Sequence, residues 1–302
     1  MTLRPRFTIA LAVTLTALAF GSFGSVQSQE KKKEDTTKAK AAILEKLKKI
    51  DITKPTIVET DHFFIAGSMP EAKAKALGTV LEKTLTVARK AAKYDDKDEP
   101  WKGKLVVYYL PNGDEFKSFM RRILQTSPEG AYIDFRSDPG FIVDPAELSG
   151  KPTDAELYAN TAGRMAGELL KAKGTGTQMI PEWLRDGFGR VAVMRAEGLS
   201  SQRYMRYRTQ AKTAILNPKG GMPPTIADAM KSEKSTTAEL LANSLAEFLA
   251  FNPKVDFGMF LDALRPSDGN PNPTAQNGFT ALGWKDEKMA DFAWKKWVQT
   301  GK

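Results

Sequence analysis

Apolar residues recur along this chain in two rhythms, and the change between them falls near residue 150. In the first part, Thr56 to Ala66 (TIVETDHFFIA) is dense in β-branched and aromatic residues and predicts a strand. After Pro70, Leu77, Val80, Leu81, Leu85 and Ala88 fall at three- and four-residue spacing and predict a long helix. Leu105 to Leu110 (LVVYYL) is a continuous apolar run suited to a buried strand. Asn112-Gly113-Asp114 turns the chain into a helix over Glu115–Gln125, and Ala131–Phe135 with Phe141–Val143 predicts a hairpin around Asp138-Pro139-Gly140. The order to this point is β, α, β, α, β, β.

From Asp154 the rhythm is helical. Segments near 154–173, 182–196, 200–215, 236–251, 256–264 and 285–298 carry apolar residues at helical spacing, separated by breaks rich in Gly, Pro or Asn. The longest break, Arg265 to Asn277, predicts an exposed loop. No internal repeat is present. An α+β fold follows, with an N-terminal mixed strand and helix lobe over 53–150, an all-helical lobe over 151–302, and a cleft between them.

The start of the chain has a different pattern. Arg4 and Arg6, with no acid nearby, lead into the apolar run Phe7–Phe20, which has the length of a signal-peptide core and is short of the roughly 20 apolar residues a membrane helix needs. Gly21, Ser22, Gly24 and Ser25 break the run, and Val26-Gln27-Ser28 offers small residues at the positions a signal peptidase inspects. Residues 1–28 are therefore expected to be a cleavable signal peptide, giving an exported protein, periplasmic or extracellular, with no transmembrane segment after cleavage. Residues 29–52 form a Lys-rich linker, expected to be disordered over 29–38. A short amphipathic helix follows over Ala39–Ile50, with Ile43, Leu44, Leu47 and Ile50 on one side.

Charge changes this picture little. The formal charge is +9, of which Arg4 and Arg6 carry two. Eight Lys against four acids put +4 into residues 29–50, which leaves +3 for residues 51–302. The basic excess belongs to the tail, so no nucleic-acid partner is expected; a solvated linker, or contact with an anionic surface, accounts for it. The chain has no cysteine, so an exported form must be held by its core without disulfides.

Three stretches carry a family likeness: Ile180-Pro-Glu-Trp-Leu-Arg-Asp-Gly-Phe-Gly189, Ala242-Asn-Ser-Leu-Ala-Glu-Phe-Leu249, and Gly283-Trp-Lys-Asp-Glu with Ala293-Trp-Lys-Lys-Trp-Val298. With the element order, they resemble the gluzincin-like zinc peptidases of the MA superfamily, in their small exported branch. The likeness covers about residues 56–300 and implies a zincin-like fold over residues 53–302. The first stretch is similar to the family's Pro-x-Trp-Leu-x-Glu-Gly, which opens the helix bearing the third zinc ligand. The resemblance also implies that the preceding helix should hold His-Glu-x-x-His, two imidazoles four residues apart on one face with a Glu base beside them.

Here that helix reads Ala159-Asn-Thr-Ala-Gly-Arg-Met-Ala-Gly-Glu-Leu-Leu170. One register puts Thr161 and Met165 at the ligand positions, Ala162 at the base and Asp186 at the third ligand. A second, four residues later, puts Met165 and Leu169 at the ligands and Ala166 at the base. Neither restores the site. Catalytic zinc takes three ligands from His, Cys, Asp and Glu, and the chain has one histidine, His62, which is far upstream in the first strand with a ring expected to be satisfied locally. Neither a metal nor a cofactor is expected.

Among the remaining candidates, Asp186, Glu182 and Glu168 are acids that a cleft could use for acid–base work. Glu182 in the first turn after Pro181 also suits the helix dipole, and Asp186 suits an ion pair with Arg164 or Arg185. Arg203, Tyr204, Arg206, Tyr207 and Arg208 have the spacing of a half-buried helix face. No Gly-x-Ser-x-Gly or P-loop pattern occurs. The expectation is an exported, non-catalytic pseudo-peptidase that binds or scaffolds a peptide, a protein or a cell-envelope polymer. Two alternatives stay open, a hydrolase of another class using Asp186 and Glu182, and an envelope tether working through the Lys-rich tail.

Overall fold

The computed structural model describes residues 23–95, 97–146, 151–173, 180–218, 221–231 and 235–301. The apolar run Phe7–Phe20 lies outside them. Residues up to Glu45 and residues 46–302 make two units.

The described part of the first unit is helical. Helix α1 spans Phe23–Lys48 and carries the chain into the second unit. The stretch 29–38, expected to be disordered, lies inside it, as does Ser28. The reason is composition: no Gly or Pro interrupts residues 25–48, and Lys, Glu, Gln and Ala are strong helix formers. Ile43, Leu47 and Ile50 are buried and Leu44 partly so, as the amphipathic spacing predicts.

The second unit opens with a five-stranded mixed sheet in the order β1-β2-β3-β5-β4. The expected strand over 56–66 is two strands. β1 (Thr56–Glu59) and β2 (Phe63–Gly67) pair antiparallel, with Thr56 opposite Gly67. Polar Thr60-Asp61-His62 makes the turn, in which the Thr60 amide donates to the Phe63 carbonyl at 2.9 Å. His62 is thus a turn residue, half exposed, its Nδ1 2.7 Å from Glu82 Oε2. β3 (Leu105–Tyr109) lies parallel between β2 and β5 (Phe141–Asp144), and all five of its residues are buried. That is the environment its unbroken apolar run demands. β4 (Tyr132–Asp134) pairs antiparallel with β5 and forms one edge.

Both faces of the sheet are covered. Helix α2 (Glu71–Ala91) lays Leu77, Leu81, Leu85 and Ala88 on the face that shows Phe63, Ile65, Leu105 and Val107. On the other face, Tyr108 meets Phe119 of α3 (Gly113–Arg122) with ring centroids 4.5 Å apart. Beyond the sheet come α4 (Asp154–Lys173), α5 (Glu182–Ala196), α6 (Gln202–Leu216), the short α7 (Ile226–Ala229), α8 (Thr236–Phe251), α9 (Phe257–Asp262), α10 (Ala275–Ala281) and α11 (Glu287–Thr300). The fold is α+β as expected, a mixed strand and helix part followed by an all-helical part. Helix α10 begins inside the stretch expected to be loop, started by a capping box between Thr274 and Asn277.

The two lobes do not separate. Helix α2 packs on β1 and β2 with one side and on α4 and α5 with the other, so a single apolar core runs from Val58 to Val298. The α2 stripe is broad enough to serve both neighbours, and the cleft expected between lobes is filled by it.

Candidate functional site

The most informative concavity lies instead on the far side of α4 from α2. It is a groove of about 410 Å³ bordered by α4, α5 and the edge strand β4. Its floor is made by small residues. Gly163 and Gly167 of α4 face Gly189 and the backbone of Arg185 on α5 so closely that a Cβ on Gly189 would stand 2.1 Å from the Gly163 carbonyl oxygen. A Cβ on Gly167 would stand 2.8 Å from the carbonyl oxygen of Arg185. The helices cross backbone against backbone, which leaves the groove open above them.

Its walls are charged. Asn160, Arg164, Glu168 and Lys171 come from α4, and Arg185, Asp186 and Arg190 from α5, with Ile133 of β4 opposite. The three acids left open as candidates for acid–base work meet at one guanidinium. Arg185 Nε is 2.8 Å from Asp186 Oδ1, and its terminal nitrogens are 3.7 Å from Glu168 and 4.0 Å from Glu182. Burial works against the Arg185 charge, but the bond to Asp186 and the charges of Asp186, Glu168 and Glu182 outweigh it and raise its pKa. Glu182 is 58% exposed and does not line the groove. This cluster braces α4 against α5. The alternative partner proposed for Asp186, Arg164, is engaged elsewhere: its Nη1 donates at 3.1 Å to Oδ2 of Asp144, which is fully buried at the end of β5. The other oxygen of Asp144 accepts from the Ala146 amide at 2.7 Å.

Of the four positions read as a vestigial metal site, the structure brings only Asp186 to the groove. Thr161, Ala162 and Met165 are fully buried, on the α4 face turned to the core, and the Thr161 hydroxyl donates to the Leu157 carbonyl at 3.2 Å. The same holds for Ala166 and Leu169 of the second register. The pairs of α4 residues four apart that border the groove are Ala159 with Gly163, Asn160 with Arg164, Gly163 with Gly167, Arg164 with Glu168, and Gly167 with Lys171. Helical geometry explains the offset: a helix clamped on two sides shows solvent only a narrow stripe, one residue away from the stripe that faces the core. Among the described residues no three His, Cys, Asp or Glu side chains gather as a metal-binding group.

A second polar cluster sits inside the helical part. Glu247 of α8 is fully buried, and its Oε1 accepts from Arg195 Nη2 at 2.7 Å and from the Tyr204 hydroxyl at 2.6 Å. Its Oε2 accepts from the Tyr207 hydroxyl at 3.0 Å and from Arg208 Nη1 at 3.1 Å. Burial first, and the Glu247 charge second, push Tyr204 up to about 12 and Tyr207 well above the ordinary tyrosine value. This is the buried side of the basic-aromatic helix. Arg203 pairs with Glu197 at 2.6 Å and Arg206 faces solvent. With two cations and two hydroxyls converging on one fully buried carboxylate, the cluster ties α5, α6 and α8 together rather than offering a site.

Asn160, Arg164 and Asp144 were missed as a group by sequence reasoning. Arg164 and Asn160 share a helix face, which is legible. Asp144 ends a four-residue apolar strand, where a charge signals a buried partner, but nothing in the sequence says which cation. Comparison of the chain with protein-family models, with curated proteins and with solved structures gives no match.

Proposed function

We propose that this is an exported, non-catalytic, peptidase-like binding protein whose groove between α4, α5 and β4 holds a segment of peptide, protein or envelope polymer. The observation that carries the reading is the identity of the α4 side chains beside Asp186. Read as a degenerate His-Glu-x-x-His, the stretch Gly163 to Gly167, of which Gly163, Arg164 and Gly167 line the groove, has hydrogen atoms for side chains at both ligand positions and a guanidinium at the base. A cation fixed on buried Asp144 opposes a bound dication and cannot take a proton from water. What remains is an open groove with rigid walls, which suits binding. The hydrolase alternative is weakened because Asp186, Glu168 and Glu182 are all engaged by Arg185.

Export rests on the sequence of residues 1–28, and one preparation tests both halves of the proposal. Protein taken from its native host without chelator should have an intact mass that begins near residue 29, and elemental analysis should find no stoichiometric zinc. One tightly held zinc per chain with chelator-sensitive proteolysis would overturn the binding-protein reading. A soluble cytoplasmic form that keeps its first residues would overturn export.

A further inference from the structure

Two groove-lining side chains of α4 keep N–H groups that no described residue fills. Asp144 is a fully buried carboxylate, and Arg164 is the cation beside it, yet the contact is a single bond from Nη1. The remaining N–H groups of Arg164 have no partner among the described residues, and the side chain, about a third exposed, lines the groove. One helical turn earlier, Asn160 also lines the groove, and its Nδ2 is buried without a hydrogen-bond partner among the described residues. A buried donor left unpaired costs stability and is uncommon in folded proteins. Here that buried donor stands four residues from the partly exposed guanidinium of Arg164 on one helix face, beside a floor of glycines that sends no side chain among the described residues into the space in front of them.

The charges around the groove are paired. The groove lining carries Arg164, Lys171, Arg185 and Arg190 against Glu168 and Asp186, and both acids are ion-paired with Arg185 or Lys171. Arg190 makes one contact, to Glu239 at 3.3 Å. Each lining cation thus meets an acid, Arg164 on Asp144 and Arg190 on Glu239 included, so recognition rests on the direction of unfilled N–H groups and not on an excess of positive charge. A guanidinium presents planar, paired N–H groups matched to the two oxygens of a carboxylate, and its bond to buried Asp144 fixes its position before any ligand arrives.

We infer that Arg164 and Asn160 form a carboxylate clamp, and that the groove recognises its ligand by a carboxylate group. The inference rests on the binding-protein reading and narrows it to a ligand class. Two sources supply the same chemistry, the free C-terminus of a peptide and an acidic side chain within one. A volume of about 410 Å³ accommodates either.

The test is a calorimetric titration of the full chain with three probes: acetyl-Ala-Ala-Ala with a free C-terminus, the same tripeptide as its amide, and acetyl-Ala-Glu-Ala-amide. Binding of the free acid and not of either amide assigns a terminal carboxylate, and binding of the Glu peptide over the plain amide assigns a side-chain acid. Arg164→Gln should weaken the preferred probe by at least about tenfold, the factor set by loss of a charge-assisted hydrogen bond. Because that change also removes the partner of Asp144, two further variants accompany it. Asn160→Asp leaves the Asp144 pair untouched and, by placing an anion in the clamp, should abolish binding of the carboxylate probe. Arg164→Lys keeps a cation by Asp144 but loses the planar fork, and should bind weakly while melting close to wild type. Equal binding of all three probes, or Asn160→Asp binding the preferred probe as wild type does, would overturn the clamp while leaving the groove a peptide site. Failure of all three probes to bind wild type would overturn both the clamp and the groove reading.

Discussion

Glu247 is the residue whose removal the structure makes most costly. Its carboxylate is fully buried and holds two guanidiniums and two tyrosine hydroxyls, each about one-fifth exposed or less. Removing one member of such a cluster leaves the others desolvated and unpaired, which costs more than the cluster itself contributes. Glu247→Gln, nearly the same shape, should therefore destabilise the protein by about 3–5 kcal/mol, read as a lower denaturant midpoint with an unchanged slope. A loss below about 1 kcal/mol would show that Arg195 and Arg208 turn out to solvent easily and that the cluster is not structural. Part of this was legible. Glu247 is the one charge in the apolar stretch Leu240–Phe251, and Tyr204 and Tyr207 share a helix face by spacing. What spacing could not give is that these two features, some forty residues apart, meet. The same limit applies at the groove: Thr161, Ala162 and Met165, read from the sequence as candidate site positions, lie on the core face of α4, because they and their groove-facing neighbours Asn160, Gly163 and Arg164 differ by a rotation that only the packing of α2 decides.

The contact of α4 with α5 sets the shape of the site, and it depends on glycines that are not equivalent. A methyl at Gly189 would meet the Gly163 carbonyl oxygen at 2.1 Å, a backbone atom that cannot rotate away, so the helices would have to part. A methyl at Gly163 would meet only the backbone of Gly189 and Arg190 at 3.5 Å and beyond, an ordinary contact. Gly189→Ala should thus cost about 1–3 kcal/mol or more, as overpacking does. Gly163→Ala should be neutral or stabilise by up to about 1 kcal/mol, the helix propensity of Ala over Gly. Thermal melts of the two variants decide this, and equal effects would mean that α4 and α5 do not cross as closely as described. Elements of this kind were largely legible, since strongly periodic helices and the buried strand β3 need no tertiary information. The exceptions are instructive. The run 56–66 reads as one strand because its turn has no Gly or Pro, and the polar triplet Thr60-Asp61-His62 is the only signal of the break. Helix α10 was hidden because its Gly- and Asn-rich sequence favours loops, and its stability comes from Phe279 buried against Phe260, with ring centroids 5.5 Å apart.

For the unit spanning residues 46–302, the decisive matter is whether sheet and helices fold as one body. The change of hydrophobic rhythm near residue 150 suggests two lobes, and sequence alone cannot correct that impression, because it does not show that the α2 stripe is shared. In the structure, Leu77, Leu81 and Leu85 belong to the same core as Phe63 and Val107 of the sheet and Met165, Leu184 and Phe188 of α4 and α5. Two bodies that share a helix cannot expose their interface without undoing both cores, since the apolar area of α2 would be left in water at about 25 cal/mol per Å². Unfolding of this unit should accordingly be a single cooperative transition. Hydrogen exchange followed by mass spectrometry across a denaturant series measures this directly: peptides covering Leu105–Tyr109 of the sheet and Leu245–Leu249 of α8 should lose protection at the same denaturant concentration. Glu247→Gln adds a sharper arm, because it perturbs only the helical end, and in a single body it must lower the protection of the distant β3 peptide by the same free energy as that of α8. If β3 keeps wild-type protection while α8 loses it, the shared core does not couple the two ends, and the groove's walls on β4 and on α4 and α5 are free to open independently.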